Sequence, residues 1–469
     1  MKLFKSLLFV AILLVAGYGH TENDALYNKI KKLIHSQGGD LNVGIYIRDL
    51  KKNKTKFAIH PNRLFIPAST TKLFTSYMAL DYLGAEHRFK TVFLADEKAD
   101  KKGVLNSNLY LKFVGDPTIK YEDLKSIFDN LHINKIKKDI IVDDLIMDNY
   151  GTAPGGLTWD DEPFCYAAPK GAIVVDKNCS KAWMEPNSIG KVAKLEIDRP
   201  YALRIENTVK TVIPSKLECP YKSKYISDNK YEVYGCMPSN ITKPVKLNFA
   251  LQDTHRMIEN YITETLQESN IKFQGKIKFG KATGKTVLYK HESPPLKEIL
   301  VEVLRDSCNV SASSLFKYIA AKHTGNQGTD EDGELVIKEF LRNTGLSKKS
   351  FKFYDGAGES RYNLVSPKTL VELLTKVNAS PNLKEIYINA LAKYSNPKGT
   401  LKYREIKSPY SKYIYAKTGS LENISAIAGL YLPPKGSQYA FAIMINNHNL
   451  SYEDVKSLED KIIYLLLTH

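Results

Sequence analysis

Ile66-Pro67-Ala68-Ser69-Thr70-Thr71-Lys72 runs straight into the apolar stretch Leu73 to Leu83, and the rest of the chain is best read outward from this junction. A proline and a small residue before Ser69, with apolar residues at helical spacing after it, place Ser69 at the opening of a helix. Lys72 then stands one turn on, on the same face, with its amine in reach of the Ser69 hydroxyl. A serine hydroxyl is a weak nucleophile at neutral pH and needs a neighbouring base. Lysine serves when burial or a second cation lowers its pKa. Ser69 is therefore the candidate nucleophile and Lys72 its candidate base. The four-residue pattern alone is weak, because Ser-x-x-Lys also begins at Ser188, Ser227, Ser314 and Ser395.

Two later segments give the junction its meaning. Ser307-Cys308-Asn309 and Lys417-Thr418-Gly419 follow in that order, and the three together resemble the motif set of active-site serine penicillin-recognising enzymes. Ser-x-Asn recurs at Ser227 and Ser380, so order and context carry the reading. Strand-like Ile414-Tyr415-Ala416 precedes Lys417, and the small Gly419 lets a peptide lie close against the backbone of a sheet edge. Lys417 would be the second cation, and the backbone amides of Ser69 and Ser420 would form the oxyanion hole. Ser307 would relay a proton to the leaving amine, and Asn309 would hold Lys72 and the substrate amide. Lys417 and Thr418 would bind the free carboxylate of a terminal D-alanine. As purely structural residues, Ser69 would be a helix cap, Ser307 a turn residue and Lys417 a strand end.

Around these motifs the texture alternates. Asp24 to Gln37 carries a helical apolar stripe, Leu41 to Leu50 and Lys56 to His60 alternate as strands, and Thr71 to Leu83 is helical. From about Phe89 to Met237 short alternating segments broken by Gly, Pro, Asn and Asp predict a β-rich insertion. Helical periodicity returns at Thr254 to Gln267, Leu296 to Leu304, Ser311 to Lys322 and Glu334 to Asn343. Ile424 to Leu432 and Tyr439 to Asn446 read as paired strands, and Val455 to Leu467 as a closing helix. A sheet drawing strands from both chain ends predicts one α+β unit split by the insertion.

At 469 residues the chain is too long for one ordinary core. Lys2 and Lys5 followed by the apolar run Leu7 to Ala16 and small residues near Gly19 predict a cleaved signal peptide over 1–19, too short to span a bilayer. Export implies an oxidising compartment. Of five cysteines, Cys165 lies near Cys179 and Cys219 near Cys236. Sequential disulfides are the simplest of the three pairings, with Cys308 left over. The net charge of +16 favours anionic partners such as the acidic wall or anionic lipid. Scattered lysines and export argue against nucleic acid. No metal or cofactor is expected: His-Glu-x-x-His is absent, Gly280 to Thr286 is too short for a phosphate loop, and no Gly-x-Ser-x-Gly occurs. A β-lactamase would want a Glu-x-x-Leu-Asn loop, which the chain lacks.

Longer segments sharpen the resemblance. Gly115-Asp116-Pro117-Thr118, the Trp159 to Cys179 stretch with Ala168-Pro169, and Asp355-Gly356-Ala357-Gly358-Glu359-Ser360-Arg361 are similar to the class C low-molecular-mass penicillin-binding proteins, the D-Ala-D-Ala carboxypeptidase and endopeptidase family. The resemblance implies an α+β multidomain architecture. In it a serine β-lactamase/penicillin-binding-protein-like domain, an antiparallel sheet flanked by helices, is interrupted by two smaller β-rich domains. On this reading 20–88 and 286–469 form the penicillin-binding domain, 89–160 and 246–285 the second domain, and 161–245 the third. Peptidoglycan peptides would be substrates and β-lactams inhibitors, through an acyl-enzyme at Ser69. Asp161, Tyr166, Arg361 and Glu422 would line a pocket for the diaminopimelate side chain, whose amine wants an acid and whose carboxylate wants arginine. Structurally, Arg361 would instead make a turn ion pair and Asp161 a cap. The chain departs from relatives at Cys308, often Asp, at Glu422, frequently Gln, and at Glu359, usually Leu.

Overall fold

The computed structural model describes residues 22–38, 41–148, 155–214, 219–346, 349–394, 396–404, 406 and 409–469. The signal segment expected over 1–19 lies outside the described residues. No helix among those described is long and apolar enough to cross a membrane.

Both chain ends build one six-stranded sheet, in the order Lys54–Ile59, Asn42–Asp49, Tyr439–Asn446, Ile424–Tyr431, Ile414–Leu421, Ala392–Lys393, antiparallel throughout. The strands Ile424–Tyr431 and Tyr439–Asn446 are buried at every position. They are apolar almost throughout, Ser425 and Asn446 excepted, because both sheet faces are covered. On one face Ile45, Ile427, Ile443 and Ile445 pack against Leu26 and Ile30 of the helix Glu22–His35 and Leu458 and Ile462 of the C-terminal helix Tyr452–Thr468. Alternate positions, Tyr46, Ala426, Ala428 and Met444, join the larger core that holds Phe65, Leu73 and Leu370. Each such aliphatic side chain removed from water contributes roughly 1.5–3 kcal/mol. This packing lets the first and last segments hold one rigid sheet.

The insertion has its own five-stranded sheet: Ile277–Phe279, Ile140–Asp143, Leu109–Lys112, Lys90–Ala95 and Thr286–Glu292. Thr286–Glu292 pairs with Lys90–Ala95, so this sheet runs past residue 285, where the sequence reading returned the chain to the catalytic unit. The region is also less purely β than expected. Tyr121–Asn130 is a helix that buries Tyr121, Leu124, Ile127 and Phe128 and sets Tyr121 against Tyr261 of the helix Thr254–Glu268, ring centres 5.3 Å apart. Beyond it, Cys179–Glu185 pairs with Val245–Ala250, and Lys230–Tyr234 with Arg204–Asn207 and Lys222–Ser227. Cys165 bonds Cys179 and Cys219 bonds Cys236, with Cα separations of 5.3 and 5.4 Å; Cys308 is free.

Candidate active site

Ser69 lies in a 3-10 turn, Ala68–Thr71, that runs directly into the helix Lys72–Leu83. Ala68 has φ +47°, a left-handed conformation that costs a residue with a Cβ roughly 1–3 kcal/mol. Pro67 O offsets part of that cost by accepting bonds from Thr70 N at 3.2 Å and Thr70 Oγ1 at 2.8 Å. Two glycines close around the turn. A Cβ on Gly419 would stand 2.6 Å from Pro67 O and 3.0 Å from Ser69 N, so only glycine lets the strand Ile414–Leu421 approach the nucleophile. A Cβ on Gly358 would strike the Ala68 carbonyl oxygen.

Lys72 is fully buried, and its Nζ donates to Ser69 Oγ at 2.9 Å, Asn309 Oδ1 at 2.6 Å and Ala357 O at 2.5 Å. An ammonium has three protons and all three are used. A neutral amine keeps two for Asn309 and Ala357, and its lone pair then faces the Ser69 hydroxyl. Burial draws the Lys72 ammonium down to about 8, against the upward pull of Glu359, Asp355 and Cys308, with Lys170 adding to the fall. Lys417 is likewise without exposure. Burial first, then Lys72, hold its pKa well below the ordinary lysine value. Lys417 Nζ donates to Ser307 Oγ at 2.8 Å and Thr418 O at 2.7 Å. Ser307 is itself left-handed, φ +64°, just before the helix Asn309–Thr324, which starts two residues earlier than its apolar periodicity suggested and so carries Asn309 in its first turn.

The loop that supplies Ala357 O is curled around one carboxylate. Asp355 Oδ1 accepts from the amide of Ala357 at 2.6 Å and that of Glu359 at 3.3 Å, as well as from Gly358 N; Oδ2 accepts from Ser360 N at 2.6 Å. This curl buries Glu359, whose Oε2 lies 2.7 Å from Lys170 Nζ, the two side chains only 4% and 5% exposed. Burial raises the Glu359 pKa while Lys170 and Lys72 pull it down. Lys170 O in turn accepts from Lys317 Nζ at 3.1 Å, which also reaches Asp148 at 2.9 Å. Sequence reasoning assigned no role to Asp355, Lys170 or Glu359. The available signals were an aspartate leading Gly-x-Gly and a lone lysine in the apolar run Ala167 to Val175.

Of the residues expected in a diaminopimelate pocket, Tyr166 donates its hydroxyl to Asp161 Oδ1 at 2.6 Å, and Asp161 also accepts from Thr158. Asn309 Nδ2 donates to Tyr166 O at 2.8 Å, tying this segment to the catalytic helix. Arg361 N donates to Gly156 O at 3.0 Å, and Arg361 Nη1 bonds Glu422 through its backbone carbonyl at 3.1 Å, leaving the exposed Glu422 carboxylate out of that contact. Ser69, Ser307, Thr418 and Ser420 together open on a cavity of about 1230 Å³.

A serine and two lysines poised in this way have counterparts among known proteins. The sequence profile of the D-Ala-D-Ala carboxypeptidase 3 (S13) family matches residues 26–468. The chain belongs to this family. This S13 peptidase is 28% identical over 418 residues to the D-alanyl-D-alanine carboxypeptidase DacB of Haemophilus influenzae, covering 87% of this chain and 86% of that one. It is 27% identical over 424 residues to a D-alanyl-D-alanine carboxypeptidase of Actinomadura sp. strain R39, covering 87% and 78%. Penicillin-binding protein 4 (dacB) of Haemophilus influenzae has a similar structure, with TM-score 0.84 at 26% identity over 94% of this chain and 98% of that one; its complex with a β-lactam aligns at TM-score 0.79. The S13 peptidase is thus a class C low-molecular-mass penicillin-binding protein and a serine-type D-Ala-D-Ala carboxypeptidase, with the multidomain α+β fold that its motifs implied.

Proposed function

We propose that Ser69 is the acylated nucleophile of a D,D-peptidase that trims terminal D-alanine from peptidoglycan stem peptides and cuts D-alanyl cross-links. The observation that carries this is the bond from Lys72 Nζ to Ser69 Oγ at 2.9 Å, made by a lysine whose pKa burial has brought to about 8. Neutral Lys72 takes the hydroxyl proton as Oγ attacks the D-alanyl carbonyl carbon. The oxyanion that forms accepts from the amides of Ser69 and Ser420. The scissile C–N bond breaks, and the leaving amine receives the proton from Lys72 through Ser307, which Lys417 holds at 2.8 Å. Water, activated by the same lysine, then hydrolyses the ester and restores Ser69.

Lys417 and Thr418 bind the carboxylate beside the scissile amide. The arriving carboxylate supplies Lys417 with a counter-charge and favours its ammonium form. Asp161, Tyr166, Arg361 and Glu422 would serve the diaminopimelate side chain on the acyl side. β-Lactams acylate Ser69 by the same attack, in keeping with the β-lactam complex of the Haemophilus relative. The signal-like first segment and the two disulfides support a periplasmic enzyme whose catalytic unit is made by both chain ends. Ser69→Ala should abolish labelling by a fluorescent penicillin and release of D-alanine from a pentapeptide; persistent labelling would defeat the assignment. Mass analysis of digested muropeptides reads trimming and cross-link cutting in one experiment.

A further inference from the structure

The cavity that opens at Ser69 does not stop at the carboxylate anchor. It continues past Thr418 and Ser420 to the Gly399–Arg404 segment and along the C-terminal helix. There Tyr452, Lys456, Asp460 and Tyr464 line it at intervals of four residues, which marks one helical face about 18 Å long at 1.5 Å per residue. Its volume, about 1230 Å³, exceeds the roughly 300–1,000 Å³ of pockets that hold drug-sized ligands. A departing D-alanine needs only a small part of it.

Two features indicate which part of a substrate the groove serves. At its catalytic end it is bounded by Ser307 and Thr418, the groups assigned to the leaving amine and the adjacent carboxylate, whereas Asp161, Tyr166, Arg361 and Glu422 lie outside it. The groove is therefore on the leaving-group side. Its described wall is also basic. Arg404 pairs with Asp460 at 2.7 Å, which leaves Lys402, Lys456 and Lys461 facing a single further acid, Glu453. Lys402 and Lys461 are exposed.

We propose that this groove binds the leaving strand of a peptidoglycan cross-link, an anionic stem peptide joined through its diaminopimelate amine, and so equips the enzyme for endopeptidase work. The inference rests on the acyl-transfer reading at Ser69. The D-centre of diaminopimelate carries a carboxylate next to the scissile amide, so it occupies the Lys417–Thr418 anchor as terminal D-alanine does. The rest of that strand, with its free carboxylates, continues over Lys402 and Lys461. The chemistry is unchanged: the amide C–N bond breaks, the acyl group passes to Ser69 Oγ, and the strand leaves with its amine protonated.

The test compares two substrates on the full-length protein, a monomeric pentapeptide ending in D-Ala-D-Ala and a purified cross-linked tetrapeptide dimer. The double variant Lys402→Glu/Lys461→Glu, at two exposed positions, should lose about 10-fold in kcat/KM on the dimer, consistent with two reversed surface charges, and the deficit should shrink as salt rises. Release of D-alanine from the monomer should stay within about 2-fold. Equal rates of wild type and variant on the dimer, an equal loss on both substrates, or a wild type that releases D-alanine and leaves the dimer intact would each overturn the groove assignment while the Ser69 reading stands. Turnover of both substrates by Ser69→Ala would overturn that underlying reading instead.

Discussion

Two of the buried charge clusters among the described residues are completed to different degrees. Around Arg404 every charged group is bonded: Nη1 meets Glu459 Oε2 at 2.7 Å, and Nη2 meets Asp460 Oδ1 at 2.7 Å and Lys456 O at 3.0 Å. Ser425 Oγ donates to the other Glu459 oxygen at 2.8 Å, and Tyr394 OH to Asp460 at 2.6 Å. Behind Lys72, by contrast, Lys170 and Glu359 touch at 2.7 Å, yet neither Lys170 Nζ nor either Glu359 oxygen makes a well-angled hydrogen bond. A completed network braces the elements that supply it, here the C-terminal helix, the strand Ile424–Tyr431 and the Arg404 segment. An incomplete pair braces little, and its charges act on their neighbours through a low-dielectric interior. One of those neighbours is the proposed base.

Substitutions at the two clusters should therefore fail in different ways. The largest effect belongs to Lys72→Ala, which should slow acylation by a chromogenic or fluorescent β-lactam by roughly 10³-fold, within the usual range for a lost general base. It should also change the pH dependence of stability. Wild-type Lys72 titrates near 8 when folded and 10.5 is its ordinary value. Between those values the unfolded chain holds a proton that the folded one lacks, so unfolding becomes harder as pH rises from about 8 to 10.5. Calorimetric scans should show a larger gain in wild type than in the variant, which keeps the like-signed contributions of Lys417 and Lys456; an equal gain in both would assign it elsewhere. Next in size, Arg404→Ala strands Glu459 and Asp460 without their counter-charge and should cost about 3–5 kcal/mol of stability. A loss below 1 kcal/mol would mean that the cluster is no brace.

A milder cut separates bracing from chemistry. Ser425→Ala leaves a Glu459 oxygen unpaired in a buried site and should cost about 1–3 kcal/mol, read by thermal unfolding. β-Lactam acylation of the folded variant should stay within about 2-fold of wild type. A large loss of acylation with unchanged stability would merge the two clusters into one functional unit.

The candidate active site was unevenly legible in the sequence. Ser69, Lys72, Ser307, Asn309 and Lys417 stand out because the chemistry needs those residue types in short motifs, and each motif sits at an element boundary that periodicity marks. The bonds of Lys72 to Ser69 and Asn309 were thus foreseeable. Ala357 O, Asp355, Lys170 and Glu359 meet only where two distant segments cross in non-periodic loops, so nothing in spacing announces them. Among the elements, the helix Pro367–Ala379 had readable signals: a Ser366 cap, Pro367 at its first position, and apolar Leu370, Leu373, Leu374 and Val377. The helix Tyr121–Asn130 was hidden among turn residues that favoured a β-rich reading. Residues 286–292 joined the insertion sheet because strand pairing, which sequence does not display, overrode the apparent domain edge.

The smallest predicted effect concerns the incomplete pair, and its sign is what matters. Lys72 must be neutral to accept the Ser69 proton, so acylation rises with pH through the Lys72 pKa, and the acid limb of the rate profile reports it. Glu359 raises that pKa and Lys170 lowers it. Glu359→Gln removes the raising charge and should move the limb to lower pH by roughly 1 unit, the lower end of what a neighbouring charge does. Lys170→Met removes a lowering charge and also leaves Glu359 unpaired, so its limb should move to higher pH. The double replacement Lys170→Met/Glu359→Leu removes both opposing influences. It should bring the limb back toward wild type and equal or exceed wild-type stability, since buried ion pairs are often replaced by packed apolar groups without loss. A purely structural pair would give lower stability in all three variants with one shared limb. Opposite displacements in the single variants, partly cancelled in the double, would place this pair with the catalytic chemistry and leave the Arg404 cluster as scaffold.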